Sequence, residues 1–265
     1  MVKQMPNGNN QLKWIKGDLH VHSVLSPCGE LEMGPSNVMN KCKELGIDIL
    51  GICDHNSGAN LPAFIKKAEK ENVMIVCGME VQTREEVHLL CFFPCYNNLM
   101  EFEEEFKGTL PKINNNPEVF GDQVIIDENE QILHFEDNLL LISSNLGVGD
   151  VIKLTKKYNG EVIPAHIDKK YYSLISNLGF LPSYDFLAVE IFNYDAKEKM
   201  IREYSEIENY PVIVSSDAHK LDDMEQKYQT YFFVKELTWQ ELLLAFHNKD
   251  SRKTAVYKND TVNKE

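Results

Sequence analysis

Positive charge is scarce in this sequence, and that scarcity limits the partners we expect. The chain has 27 Lys and Arg residues against 41 Asp and Glu residues, for a formal net charge of −14. A broad surface that grips nucleic-acid phosphates requires clustered Lys and Arg. We therefore expect no extended nucleic-acid surface, although several bound divalent cations would make one cleft positive on an otherwise acidic protein.

Long hydrophobic runs and a secretory signal are also missing from the sequence. No apolar stretch approaches the roughly 20 residues that a membrane-spanning helix needs, so we expect no membrane partner. The segment 1–13 is polar and has no apolar core of a signal peptide. Of the 6 cysteines, Cys53, Cys77 and Cys91 lie in apolar runs, where a reduced thiol acts as a small hydrophobe. These features predict a reducing cytoplasm.

What the sequence does contain is a regular alternation of apolar runs and helical patterns. Trp14–His22 reads as a first strand, and Ile47–Cys53 and Val73–Met79 are nearly continuous apolar runs, typical of strands buried on both faces. Helical spacing over Pro35–Gly46 is one of several patterns that separate them. This alternation predicts an α/β protein with a parallel sheet. The number of strands and the 265 residues suit a barrel that closes on itself.

Residues 107–147 interrupt the alternation. Pro111–Pro117 is turn-rich, and Val124–Ile126 with Gln131–Phe135 suggests a small hairpin. We interpret this stretch as an insertion over one side of the main domain, a lid or a substrate-selecting flap. The sequence thus predicts one domain over 14–247, with flexible tails at 1–13 and 248–265.

The apolar runs repeatedly end in His, Asp or Glu. His20 and His22 share one strand and point the same way, because side chains alternate between the faces of a strand. By itself this pair fits two half-buried structural histidines as well as a metal site. In a barrel, side chains just past the carboxyl ends of the strands share one mouth. The residues expected to meet there are His20, His22, His55, Glu80, His88, His166, Asp217 and His219.

Taken together and in order, these segments resemble the PHP (polymerase and histidinol phosphatase) superfamily of metallophosphoesterases. The matching segments are Asp18–His22, Cys53–Asn56, Gly78–Glu80, His88, Pro164–His166 and Ser215–His219. The resemblance implies a distorted (β/α)7 barrel and a trinuclear metal centre. No Gly-x-Ser-x-Gly elbow or cysteine-phosphatase loop offers a protein nucleophile, which agrees with attack by a metal-bound hydroxide.

The same resemblance implies how the ligands divide among three ions. The first ion would be held by His20, His22, Glu80 and Asp217. Glu80 would bridge to a second ion, completed by His88 and His166. The third would be held by His55 and His219.

Cys28 stands where the family usually has a third-site His or Asp. Thiolate suits zinc better than manganese, but Cys28 fits an ordinary loop cysteine equally well, and Glu30 is a weaker substitute. Asp54 is either a further ligand or, more often for such an Asp, a group that orients the loop or a neighbouring imidazole.

The resemblance implies a phosphoesterase that uses two or three divalent ions of zinc, manganese or iron. Expected substrates are the phosphate monoester of a small metabolite, a nucleotide, a short oligonucleotide or a phosphotyrosyl peptide. Arg84 and Lys169 are candidate phosphate anchors, and each also fits a solvated surface charge. The alternative function is a metal-stabilised binding or regulatory module without catalysis.

Overall fold

The computed structural model describes residues 11–259. Its strands are β1 (Lys13–Val21), β2 (Ile49–Ile52), β3 (Met74–Gln82), β4 (His88–Phe93), β5 (Val124–Ile126), β6 (Ile132–Phe135), β7 (Glu161–Pro164), β8 (Val189–Glu190), β9 (Val212–Ile213), β10 (Tyr228–Val234) and β11 (Lys253–Lys258). Its α-helices are α1 (Pro35–Leu45), α2 (Leu61–Ala68), α3 (Tyr96–Lys107), α4 (Pro117–Phe120), α5 (Val148–Lys157), α6 (Leu174–Leu178), α7 (Lys197–Glu203) and α8 (Trp239–Phe246).

Seven of the strands form one curled, mixed sheet in the order β11-β10-β1-β2-β3-β4-β7. Strands β1, β2 and β3 pair in parallel, as the alternation predicts. Strand β4 instead pairs antiparallel with both β3 and β7. Only a short turn, residues 83–87, separates β3 from β4, and so short a connection permits a hairpin but not the crossover that a parallel pair needs. The prediction of a parallel sheet is therefore wrong at this side, and it is also wrong at the other side, where β10 pairs antiparallel with β1 and β11.

The parallel pair β8–β9 forms a separate small sheet. The residues that flank this pair are hydrogen-bonded to β7 and to the end of β1 in the main sheet. The Leu187 N–H donates to the Val162 carbonyl in β7 at 2.9 Å. Beyond β9, the Ala218 carbonyl accepts from the His22 N–H at the end of β1 at 3.0 Å. The mixed α/β class is confirmed, and the sheet is compatible with a PHP barrel. The full (β/α)7 description stays a prediction.

Both faces of the central strands are buried. On β4, Leu90 and Phe92 pack into one apolar cluster, while Leu89 and Cys91 pack into the other, larger one. This explains why the central strands read as continuous apolar runs rather than as alternating ones.

Gly51 in β2 is required by the close approach of β1. A Cβ atom at this position would lie 2.2 Å from the Leu19 carbonyl oxygen. We expect Gly51→Ala to lower the free energy of unfolding by roughly 1–3 kcal/mol, because the backbone itself must shift to admit the methyl group. Gly108→Ala is the matched control, since φ there is −64° and its nearest neighbour would be 3.3 Å away. Equal denaturant midpoints for the two variants would contradict this reading.

The inserted stretch contains α4 and the predicted hairpin, formed by β5 and β6. Strand β5 is buried, and Ile125 packs with Leu25 and Leu140 in a small apolar cluster of its own. The Asn60 side chain bonds both the Val124 carbonyl and the Ile126 N–H at 3.0 Å. The insertion is therefore anchored next to the loop that follows β1. Its role as a flap stays a prediction.

The ends of the domain differ from the prediction. Residues 253–258, expected to lie in a flexible tail, form β11 and pair antiparallel with β10. Strand β11 is stabilised by backbone hydrogen bonds to the edge of β10. The sequence of β11 alone does not indicate this pairing. Lys13 likewise belongs to β1 rather than to the tail. Residues 1–10 and 260–265 of the predicted tails lie outside the described residues.

Across residues 11–259, no helix combines the length and the apolar character needed to span a membrane.

Candidate metal centre

Glu80, near the end of β3, lies at the centre of a group of buried imidazoles. Its Oε1 is 2.8 Å from His88 Nδ1, and its Oε2 is 2.9 Å from His55 Nδ1. The same Oε1 is 3.3 Å from His20 Nε2 and 3.4 Å from His166 Nε2. One carboxylate thus contacts side chains from four separate segments, as a bridging ligand must.

Asp217, which follows β9, faces the same pocket from another side. Its Oδ1 lies 3.2 Å from His22 Nε2 and 3.3 Å from His20 Nε2. His219 Nδ1 is 3.8 Å from the same oxygen. The eight residues expected at one mouth are therefore brought together, although they are spread over two hundred positions of the sequence.

Three sets of these residues have donor atoms close enough to share one ion. Within each set the atoms lie within 4.8 Å of one another: His20 with His22 and Asp217, His55 with Glu80 and His88, and His22 with His55 and His219. These sets only partly follow the division of ligands that the resemblance implies. His55 groups with Glu80 and His88 as well as with His219, and His166 stands 3.4 Å from Glu80 outside the three sets. The implied division stays a prediction.

Several of the buried donor atoms have no hydrogen-bond partner within the described part of the chain. Among the described residues, both carboxylate oxygens of Glu80, both ring nitrogens of His88 and Nδ1 of His166 are buried without a hydrogen-bond partner. His20 Nε2 and His22 Nε2 lie only 3.1 Å apart. Buried polar atoms left unpaired cost free energy, and a cation among them would satisfy them all. The nitrogen and carboxylate donors suit zinc and other divalent transition metals.

Electrostatics in the pocket keep two of the donors, Glu80 and His22, in the state that binds metal. Burial alone would raise the pKa of Glu80, but His88, His20 and His55 hold it well below its usual range, so the carboxylate is ionised. Burial, together with His219 and His55, lowers the pKa of His22 well below its usual range. A neutral His22 offers a free lone pair, and a charged Glu80 offers its oxygens.

Two of the donor residues adopt a backbone conformation that non-glycine residues rarely take. The φ angle is +27° at His166 and +51° at Asp217. Such left-handed positions are sparsely populated and persist where the surrounding structure fixes them, often at functional sites. Here the bends lie two residues beyond the end of β7 and four residues beyond the end of β9, and each turns the side chain into the pocket.

Asp54 orients the loop that carries other donors and does not itself reach the three sets. Its carboxylate accepts from the Ser23 N–H at 2.7 Å and from the hydroxyls of Ser23 and Ser26 at 2.6 and 2.7 Å. The Ser26 hydroxyl in turn lies 2.9 Å from His22 Nδ1. Of the two roles considered for Asp54, the structure supports the orienting one.

Glu190 is a site residue that sequence reasoning missed. It is 1% exposed, and its Oε2 lies 3.0 Å from His20 Nδ1 and accepts from the His166 N–H at 2.9 Å. It therefore orients two donors without being one itself. The signal was present, because Glu190 is the one acidic residue inside the apolar run of residues 186–192.

Lys169 reaches the pocket and Arg84 does not. The Lys169 ammonium contacts Asp217 Oδ2, so it stands next to the donors. The Arg84 side chain is largely exposed and lies 3.8 Å from Glu85. Of the two candidate phosphate anchors, only Lys169 lies next to the donors.

Cys28 lies beside two of the histidines. Burial of its sulfur would raise the pKa of the thiol, but hydrogen bonds with His219 and His55 outweigh that effect and lower the pKa to about 6. The thiol is therefore ionised at neutral pH, which is the form that binds a metal ion.

We expect the alkylation rate of Cys28 in metal-free protein to rise with a midpoint near pH 6, because the thiolate is the reactive form. The measurement needs a Cys95→Ser background, since Cys28 and Cys95 are the exposed thiols among the described residues. Burial raises the pKa of Cys77 and Cys91 to about 12, so neither interferes. Zinc should suppress the reaction. A midpoint near 9.0, the ordinary pKa of a cysteine thiol, would contradict a reactive thiolate at this position.

Comparison with protein families identifies one match. A model described as the PHP domain matches residues 18–231, which is more than half of the chain. No curated protein sequence matches the chain.

Several solved structures share the fold. The lesion-specific Endonuclease Q from Pyrococcus furiosus matches with a TM-score of 0.64 and 20% identity, covering 91% of this chain and 58% of that one. A two-domain protein from Bacteroides vulgatus, containing a predicted PHP-like metal-dependent phosphoesterase, matches with a TM-score of 0.55 and 16% identity, covering 96% and 67%. The chain thus spans less than two thirds of the length of Endonuclease Q. At these identities the likeness shows the fold.

The expectation of no extended nucleic-acid surface is wrong. Endonuclease Q has also been solved in complex with a 27-mer duplex substrate carrying an abasic lesion at the active site, and that structure has the same 0.64 TM-score to this chain. The expectation depended on the net charge of −14 over the whole chain. Whole-chain charge does not describe a pocket in which bound cations face the substrate.

Proposed function

This chain belongs to the PHP domain family, and from that premise we propose that it is a metal-dependent phosphoesterase. The observation that carries the proposal is the convergence of five histidines with the carboxylates of Glu80 and Asp217, with buried donor atoms that lack hydrogen-bond partners. The substrate is a phosphate ester of a small metabolite, a nucleotide or a nucleic acid.

The metal ions would be held by the residues that line the pocket. The proposed ligands are His20, His22, Cys28, His55, Glu80, His88, His166, Asp217 and His219. Two or three divalent ions of zinc, manganese or iron would supply charge that neutralises the phosphoryl oxygens and would lower the pKa of a coordinated water towards neutrality.

The protein's own groups hold and orient the reacting partners. Glu80 bridges the ligand sets through its two oxygens, which a single imidazole nitrogen cannot do. Glu190 fixes the ring of His20 through Nδ1 and leaves Nε2 directed into the pocket. Lys169 contacts Asp217, and this position would place its ammonium beside a phosphate oxygen held at the donors.

A binding or regulatory module without turnover is the alternative. The nearly complete donor set favours the enzyme, because a purely structural site needs neither a bridging carboxylate nor a cationic side chain such as Lys169 beside the donors. The Bacteroides relative, described as a metal-dependent phosphoesterase, supports the same choice.

Reconstitution with single metals tests the proposal. Protein loaded separately with zinc, manganese or iron is assayed for metal content and for hydrolysis of phosphomonoesters, nucleotides, single strands and lesion-bearing duplexes. We expect at least one combination to turn over, and Asp217→Ala to abolish turnover while still unfolding cooperatively. Bound metal with no hydrolysis of any ester would instead establish the module.

A further inference from the structure

Two half-exposed aromatic rings flank the proposed metal pocket. Tyr172 is 45% exposed and Phe192 is 42% exposed, although large apolar side chains are usually covered. The Tyr172 ring contacts His88, a proposed ligand, and the Phe192 ring contacts Lys169, whose ammonium touches Asp217. Exposed rings beside a cluster of polar donors are unlike the scattered apolar residues found on any surface.

Tyr172 stacks directly on a proposed metal ligand. Its ring lies parallel to that of His88, with the centroids 4.7 Å apart and an interplanar angle of 12°. The Tyr172 carbonyl accepts from the His88 N–H at 2.9 Å, and φ at Tyr172 is +58°. The ring is therefore held in place from its backbone. One face covers His88, and nearly half of the side chain remains open to solvent.

Phe192 is fixed next to the pocket, beside Lys169. The Lys169 ammonium, which contacts Asp217, lies 4.4 Å from the centre of the Phe192 ring. The Asp168 carboxylate accepts from the N–H groups of Phe192 and Asn193, both at 2.7 Å. Both rings are thus positioned before any ligand arrives, which reduces the entropy lost on binding.

We propose that Tyr172 and Phe192 form a subsite for the base of a nucleotide whose phosphate lies at the Glu80–Asp217 cluster. Stacking of a base on an aromatic side chain contributes roughly 1–3 kcal/mol and tolerates any base. The location of this subsite depends on the proposed function, because the pocket fixes where the phosphate sits.

The geometry favours a nucleotide over a phosphotyrosyl group. The ring of phosphotyrosine is bonded directly to a phosphate oxygen, so it would have to lie among the buried polar donors. A ring stacked on the open face of Tyr172 is instead separated from His88, the nearest donor, by the ring of Tyr172. A ribose between phosphate and base provides that separation.

Calorimetric titration of metal-loaded protein tests the subsite. The ligands are adenosine monophosphate, ribose 5-phosphate and phosphotyrosine. Wild-type protein should bind adenosine monophosphate about ten-fold or more tightly than ribose 5-phosphate. Tyr172→Leu and Phe192→Leu should each remove most of that preference and leave the affinity for ribose 5-phosphate unchanged. Tyr257→Leu, an exposed aromatic on β11, is the control and should retain the preference.

Two outcomes would overturn the inference: equal affinity for the two ribose phosphates, or tighter binding of phosphotyrosine. Metal content is measured for each variant, because Tyr172 touches a ligand. If Tyr172→Leu loses metal, Phe192→Leu alone decides. Hydrolysis without a base preference refutes the subsite only, whereas a base preference without hydrolysis of any ester refutes the proposed phosphoesterase only.

Discussion

Replacing Glu80 with Gln should reduce kcat/KM for phosphate-ester hydrolysis by at least about 10³-fold, equivalent to roughly 4 kcal/mol of transition-state stabilisation. It should also lower the metal content by at least one ion per chain. No other described side chain lies within 3.5 Å of five separate imidazoles.

The size of this effect follows from what an amide cannot do. Glu80 is fully buried and ionised, because His88, His20 and His55 hold its pKa well below the usual range against the effect of burial. Gln has nearly the same shape but carries no charge and offers one acceptor oxygen instead of two. The bridging geometry and the neutralising charge would be lost together, while the packing would remain.

Glu103→Gln is the matched control for this substitution. Glu103 is another buried carboxylate, 6% exposed, but it bonds Ser57 at 2.7 Å and lies on α3, outside the proposed ligand set. We expect wild-type activity and metal content from it. Activity and metal content are measured on the same samples, by ester hydrolysis and by elemental analysis. Full activity of Glu80→Gln with wild-type metal content would contradict the central role given to this carboxylate.

The sequence predicted which side chains converge, because the residue types expected at such a site leave a local signal. His, Asp or Glu at the end of an apolar run is visible without any knowledge of the fold, and all eight residues found this way meet in one pocket. Sheet pairing was less predictable, since an apolar run has the same appearance in parallel and antiparallel strands. For β4, the short turn at residues 83–87 indicates an antiparallel strand. The longer helical connections elsewhere in the chain led to the parallel prediction.

Contacts between distant segments account for what the sequence did not reveal. Strand β11 depends on the free edge of β10 and has little apolar pattern of its own. The expectation of no extended nucleic-acid surface was wrong because the net charge of the whole chain does not describe the charge of one pocket. Glu190 was overlooked because its partners, His20 and His166, lie 170 and 24 residues away in the chain.

Glu190→Gln should weaken metal affinity or activity by about 10- to 100-fold, the usual effect of removing a group that orients a metal ligand. Glu190 is ionised in the folded protein, because His20 lowers its pKa against the effect of burial. The carboxylate accepts from His20 Nδ1 and so leaves Nε2 as the atom that faces the pocket. Gln keeps the size of the side chain and removes the charge that makes the His20 ring a stronger donor.

The effect of Glu190→Gln should appear in metal binding more than in folding. Competition with a chelator measures the affinity, and thermal unfolding of the metal-free variant shows whether the fold is retained. Glu161→Gln on β7, a partly buried carboxylate paired with Lys156, should leave the metal affinity unchanged. Equal affinities for wild type and both variants would show that Glu190 only fills space. A loss confined to Glu190→Gln would show that the layer of residues behind the donors, which the sequence did not disclose, sets the strength of the site.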